Sequence, residues 1–294
     1  MTILTSSADL PYRLPLGDWV DGLVTMITTT FDGFFGAVKT ILLGSYDGLA
    51  LVLTAPPVWA VALVLVGLAL AAKGWRLATG TLIGFAVIVG VNQWENAMDT
   101  LALVIVASVI ALAIAIPLGI LAARDDRVSR ALRPVLDFMQ TMPAFVYLIP
   151  TVVIFLTGAV PGIVATIVFS LAPGVRFTEL GIRQVDREVV EAGHAFGASS
   201  GRILRQIQIP LALPTIMAGI NQVIMLALSM VVISGMVGAK GLGSDVVSAL
   251  SRVDIALGFE AGLAVVILAV YLDRMTSALA DRAPVSRALK LAEA

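Results

Sequence analysis

Of the chain's 294 residues, 59% are hydrophobic and only 13% charged, about half the charged share of a soluble domain, which makes it an integral membrane protein. Its net charge of −1 says nothing about partners, because the charges sit between the apolar stretches. With no cysteine and a single histidine, His194, the chain excludes disulfides, zinc–thiolate sites, thiol catalysis and histidine metal clusters.

Residues 1–15 are polar and broken by Pro11 and Pro15, which predicts a mobile tail. No basic segment followed by an apolar run marks a signal peptide. Between residues 16 and 49, Asp18, Asp21, Asp32, Lys39 and Asp47 interrupt Trp19, Val20, Leu23, Met26, Phe31, Phe34 and Phe35. That stretch is too polar to span. Two readings stand: a helix in the membrane interface with its aromatics inserted, or an extramembrane helix packed on the bundle. Seven spans are then predicted, at 49–72, 77–91, 100–123, 139–156, 160–172, 212–237 and 258–272. Pro56 and Pro57 lie near the outer end of the first, Pro117 and Gly119 loosen the third, and Pro143 and Pro150 fall inside the fourth.

Basic residues give the orientation. Lys73 and Arg76 follow the first span. Arg124, Arg127, Arg130 and Arg133 follow the third, and Arg176, Arg183, Arg187, Arg202 and Arg205 the fifth. Arg274, Arg282, Arg287 and Lys290 follow the seventh, whereas the opposing loops hold only Lys240 and Arg252. The expectation is an N-terminus outside, a C-terminus in the cytoplasm, and residues 191–210 in the cytoplasm.

Residues 191–210, EAGHAFGASSGRILRQIQIP, are a polar interruption in this apolar chain. Val189, Val190, Ala192 and Phe196 among charged neighbours predict a short amphipathic helix over 188–196. Gly197 then permits a reversal, Ser199 or Ser200 caps a second helix over 201–208, and Pro210 limits it. Two helices on an elbow, flanked by spans, form a surface for another protein to grip.

Glu191-Ala192-Gly193, then Gly197, then Ile207-Gln208-Ile209-Pro210 resembles the EAA loop of ABC importer permeases: EAA, three residues, G, nine residues, I-x-L-P. Gly193 stands where that pattern has alanine and Ile209 where it has leucine, both conservative in size. The segments TLALV (100–104), IPLGI (116–120), PVLDFMQTMPAFVYLIP (134–150), LGIRQV (180–185), PTIMAGINQVIMLALSMVVISGMVG (214–238) and LDR (272–274) are similar to the glycine betaine, proline betaine and choline branch.

The resemblance implies an all-α type I importer fold with a core at 94–276. Two peripheral spans at 49–93 and an N-terminal segment at 1–48 precede it, and a cytoplasmic tail at 277–294 follows. It also implies a homodimer of this permease in an inner membrane, two ATPase subunits that hold ATP and magnesium, and a substrate-binding protein. The residues after Arg274 are too few to encode that protein, so a separate chain is expected. The loop residues Glu191, Ala192, Gly193, Gly197, Ile207, Ile209 and Pro210 are expected to dock in the ATPase.

No catalytic constellation is present, no cofactor is expected in this chain, and nothing points to nucleic acid. GxxxxGK[ST] is missing, so the chain holds no phosphate loop of its own. The glycine cluster 235–243 is expected to be a flexible outer loop. Asn221, Gln222 and Ser229 in the sixth span are expected to share a face that either hydrogen-bonds between helices or lines a path. Thr141, Pro143, Phe145, Tyr147, Pro150 and Thr151 mark the fourth span as a broken, path-lining helix or as static packing. Phe145 and Tyr147 invite a cation–π site for a quaternary ammonium group. Glu191 reads as a docking residue or a solvated helix charge, His194 as interface packing, and Asp273-Arg274 as a local ion pair or membrane-edge anchor. Spans three to six are expected to hold no buried ionised residue, against an ion-coupled carrier. The alternative reading of the whole is an ion-coupled secondary transporter or channel for a similar solute.

Overall fold

The computed structural model describes residues 14–281. Most of the expected N-terminal tail, and Arg282, Arg287 and Lys290 of the expected C-terminal tail, lie outside them. In chain order the helices are α1 (Leu16–Thr30), α2 (Asp32–Thr54), α3 (Val58–Lys73), α4 (Trp75–Gly90), α5 (Trp94–Arg124), α6 (Asp126–Thr141) and α7 (Ala144–Phe155). They continue with α8 (Ala159–Arg183), α9 (Arg187–Ala195), α10 (Ser200–Ile203), a π turn (Leu204–Gln208), α11 (Ile209–Met236), α12 (Leu242–Arg252) and α13 (Ile255–Asp281).

Among the described residues, α2, α5, α8, α13 and the continuous run Ser200–Met236 are long and apolar enough to cross a membrane. A sixth crossing results if α6 and α7, bent by 97° at their junction, count as one broken span; α3 and α4 are shorter apolar helices. The all-helical membrane architecture is as expected, but several boundaries move.

The segment 16–49 is not one interfacial helix. α1 buries no residue, whereas α2 runs on to Thr54 and buries Leu42, Tyr46, Ala50 and Leu53. The expected first span therefore breaks at Ala55–Pro57, and Pro57, extended at ψ 141°, starts α3. Two successive prolines offer no N–H to the helix ladder, and a proline disfavours the helical region for the residue before it. The same physics splits the expected fourth span: Met142 is extended at ψ 136° before Pro143, which starts α7, while Pro150 sits inside α7. α8 extends well past residue 172, because Pro173 is absorbed within it and the polar residues of its last turns are paired.

α8 packs between α5 and α11 at the centre of the bundle. The fit depends on small residues: a Cβ on Gly119 of α5 would lie 2.5 Å from Thr178 Cβ, and one on Gly174 of α8 2.7 Å from Ala115 Cβ. Close approach through small residues drives helix association where burial from water cannot. The main core gathers Phe85, Met98, Leu101, Ile163, Val223 and Leu268 from α4, α5, α8, α11 and α13.

The glycine cluster 235–243 is a close-packed turn, not a flexible loop. A Cβ on Gly243 would lie 2.1 Å from the carbonyl oxygen of Val231, and one on Gly235 2.4 Å from the backbone of Gly243. α12 is further tied to α5: the Leu242 N–H donates to Thr100 Oγ1 at 2.9 Å, and Gln93 and Asn96 donate to Asp245 Oδ2 at 2.9 and 2.7 Å. Glycines that read as flexibility are here because two backbones touch.

Candidate functional site

Below the membrane-crossing part of α8, the chain turns at Gln184–Asp186 into α9. Asp186 caps α9, its carboxylate accepting the Glu188 N–H at 2.9 Å, which satisfies a donor left free at any helix start. α9 ends as the sequence predicts. Gly197 takes φ +76°, its N–H reaches the His194 carbonyl at 2.9 Å, and the Ala198 N–H reaches the Gly193 carbonyl at 3.1 Å. This closes the helix with a left-handed residue that glycine adopts without a steric cost.

Ser199, extended at ψ 151°, starts α10, its carbonyl accepting the N–H groups of Arg202 and Ile203 at 2.8 and 3.0 Å. Pro210 does not stop this second helix. The five-residue π turn Leu204–Gln208 leads directly into α11, so Ser200–Met236 forms one run of 37 residues. Pro210 falls at the first positions of α11, where a missing N–H costs least, and the widened turn takes up the mismatch. No periodicity argument could have announced that turn.

The two helices clamp each other through Gly193. A Cβ there would lie 3.1 Å from Ile207 Cδ1 and 3.2 Å from Ile203 Cγ1. Ile203 and Leu204 are buried, and Leu204 joins Ile182, Ala212 and Ile216 in a core that Ile209 borders. The elbow is thus held rigidly on the bundle. On its outer side Glu191, Ala192, His194 and Gly197 are exposed, and Phe196 is 93% exposed. Reading Phe196 as part of an apolar face missed this: it follows the last turn of α9 and points away from every other element.

An ionic brace sits beside the loop. Glu179 of α8, only 8% exposed, accepts from Ser129 Oγ at 2.6 Å and Arg183 Nε at 2.9 Å. Arg183 also reaches Asp126 Oδ1 and the Ala122 carbonyl, both at 2.7 Å, and Arg176 pairs with Asp137. Ends of α5, α6 and α8 are thereby tied together just before α9. Glu179 lies beyond the expected fifth span, 160–172, and comes to be buried because α8 runs on to Arg183. The signal was present in Glu179 and Arg183, four residues apart on one helix.

The expected path residues do not converge on one surface. Thr141 donates to the Phe138 carbonyl at 3.0 Å, and Thr151, buried, donates to carbonyls of Tyr147 and Leu148 on its own helix. Phe145 is exposed, while Tyr147 donates to the Met139 carbonyl and packs against Phe169 at 6.2 Å. Two residues apart on a helix, these rings point in different directions, and they make no common cage. Tyr147 and Pro150 instead border a cavity of about 590 Å³ shared with Val20, Asp21 and Val24 of α1.

Asn221 is occupied between helices, donating to Asp273 Oδ1 at 2.9 Å and accepting from Thr276 Oγ1 at 2.7 Å. Asp273 therefore serves this bond, with Arg274 more distant at 3.9 Å. Gln222 and Ser229 instead lie on the exposed face of α11. Among the described residues, no group of three or more metal-ligating side chains occurs.

Residues 115–283 match the family model described as binding-protein-dependent transport system inner membrane component. The chain is 45% identical over 269 residues to the glycine betaine transport system permease protein OpuAB of Bacillus subtilis, covering 90% of this chain and 94% of that one. It is 46% identical over 274 residues to the glycine betaine/carnitine transport permease protein GbuB of Listeria monocytogenes, covering 92% and 97%. The glycine betaine/proline betaine transport system permease protein ProW of Escherichia coli is 44% identical over 269 residues, covering 90% and 75%. Among solved structures, an inward-facing form of the MetNI methionine ABC transporter superposes with a TM-score of 0.59 at 20% identity, covering 64% of this chain and 94% of that one.

Proposed function

The chain belongs to the family of binding-protein-dependent transport system inner membrane components, and on that premise we propose that it is the permease subunit of an ATP-driven importer of quaternary ammonium osmolytes. Glycine betaine, proline betaine, carnitine and choline share a quaternary, N-methylated ammonium group, and three of these appear in the names of its relatives. The observation that carries the mechanism is the rigid α9–Gly197–α10 elbow, exposed on its outer side and continuous with α11.

Two copies of this chain pair with two ATPase subunits, which bind ATP and magnesium, and with a substrate-binding protein. Glu191, Ala192, Gly193, Gly197, Ile207, Ile209 and Pro210 form the docking elbow or hold its shape, and it lies in the cytoplasm with the C-terminal end of α13. An N-terminus outside requires α2 to lie against the bundle without crossing. ATP binding closes the ATPases and carries the elbow with them. The bundle then opens outward to receive solute, and hydrolysis resets it. The permease forms and breaks no bonds, so energy enters through contacts that differ between the two states. Thr141, Pro143, Phe145, Tyr147, Pro150, Gln222 and Ser229 remain the path candidates, while Asn221 acts through α13.

Uptake of radiolabelled glycine betaine and choline into vesicles tests the proposal, using the permease, its ATPase and its binding protein singly and together. ATP-dependent uptake that needs all three supports it. Uptake by the permease alone, driven by an ion gradient, overturns it.

A further inference from the structure

A cavity of about 670 Å³ lies between the end of α5 and the segment that joins the elbow to α11. Arg124, Arg202 and Arg205 border it, and none of its lining residues carries a carboxylate. At this end Arg133, Arg176 and Arg183 each have a carboxylate at ion-pair distance, whereas Arg127, Arg130 and Arg187, outside the cavity, have none among the described residues and face no shared concavity. Arg124, Arg202 and Arg205 have no ion pair or side-chain hydrogen bond among the described residues. Three like charges facing one concavity repel one another unless an anion joins them.

The position of the cavity says which anion. Arg124 is the last residue of α5, so its guanidinium stands where the apolar helix leaves the bilayer. Ile120, one turn deeper, and Ile209 and Leu204 supply an apolar wall to the same cavity. A site that is cationic at the membrane edge and apolar toward the bilayer matches a phosphodiester with acyl chains attached, and basic pockets between helices on the cytoplasmic face bind such headgroups. Guanidinium groups suit phosphate through paired N–H donors.

We propose that this cavity binds the phosphate headgroup of an anionic lipid of the inner leaflet, held by Arg124, Arg202 and Arg205. The lipid then bridges the end of α5 to the base of the elbow. The inference rests on the cytoplasmic placement of this end and is independent of the solute carried.

The test is native mass spectrometry of the full-length permease, alone and assembled with its ATPase, titrated with phosphatidylglycerol, phosphatidylcholine or inorganic phosphate. Wild type is compared with a R124Q/R202Q/R205Q variant and with R127Q/R130Q/R187Q, which removes the same charge outside the cavity. The proposal expects phosphatidylglycerol to be retained over phosphatidylcholine. Its dissociation constant should rise by roughly tenfold or more in the cavity variant and change little in the control. Inorganic phosphate alone should compete only at far higher concentration than the lipid. Equal loss in both variants would make the effect a general surface attraction. Unchanged lipid binding with loss of the ATPase would assign the arginines to that protein. Tight binding of free phosphate without preference for the lipid would make the site one for a soluble anion. Each of these three outcomes overturns the proposal.

Discussion

Asn221 on α11 donates its side-chain amide to the carboxylate of Asp273 on α13 at 2.9 Å and accepts the Thr276 hydroxyl at 2.7 Å. A polar residue in an apolar helix is here an interhelical tie. Such bonds inside membranes contribute on the order of 0.6 kcal/mol, reaching about 1.7 at most. Asn221→Leu and Asp273→Ala should each destabilise the purified permease by an amount in that range, read as a lowered thermal midpoint. Because both remove one shared interaction, the double variant should cost little more than either alone. Strict additivity in thermal unfolding would show that the two residues do not act on each other.

Gly193 and Gly197 serve the elbow in separable ways. At Gly193 a methyl group meets Ile203 and Ile207 at 3.1–3.4 Å, a contact those flexible ends can yield to. Gly193→Ala should therefore transport normally, whereas Gly193→Leu should force α9 off the second helix and abolish uptake. At Gly197 nothing lies within 4 Å of an added Cβ, but φ is +76°. Gly197→Arg adds strain of about 1–3 kcal/mol and a bulky charge on the exposed turn. It should end ATP-dependent uptake while the protein still folds and binds its substrate-binding protein. Full uptake by a properly assembled Gly197→Arg complex contradicts the coupling role.

Phe196 offers the cleanest separation of binding from folding, since it is 93% exposed and packs on nothing. Phe196→Ser should leave the thermal midpoint unchanged, as surface substitutions usually stay within about 0.5 kcal/mol. Loss of a central aromatic anchor at an interface typically costs about 2 kcal/mol or more, so ATPase association should weaken by at least tenfold. A pull-down titration with the ATPase reads this directly. Equal affinity would remove Phe196 from the contact.

Topology can be read against a silent background, because the chain has no cysteine. A cysteine at Ser200 should react with a membrane-impermeant maleimide only from the cytoplasmic side, and one at Val253, exposed in the α12–α13 turn, only from outside. A cysteine at Leu16, also exposed, decides whether α2 crosses. Labelling from outside keeps the N-terminal segment there; labelling from the cytoplasm makes α2 a full span. Reaction of the first two positions from the same side would undo the proposed orientation.

What could be read in the sequence was whatever one residue imposes on its own backbone. Gly197 reverses the chain, Ser199 begins a helix and Pro143 breaks the fourth span, each as its residue type leads one to expect; Pro57, expected only near the outer end of a span, ends one helix and starts the next. What could not be read was set by contact between distant segments. Gly243 looks like a loop glycine until Val231 is placed against it. Glu179 looks like a solvated charge until Ser129 and Arg183 close around it. Asn221, Gln222 and Ser229 look like one face until α13 takes Asn221 away. The π turn before Pro210 follows from joining two helices whose ends are already fixed, a constraint that local pattern does not carry.

The unbroken run from Ser200 to Met236 has a mechanical consequence. At 1.5 Å per residue, 37 residues make a rod about 55 Å long, with one end beside the elbow and the other in the glycine turn against α12. Such a rod is a lever. Tilting it 10° about its middle carries each end roughly 5 Å in opposite senses. In the proposed cycle, a displacement imposed beside Gly197 would reach Met236 reversed in sense if the run moves as one body.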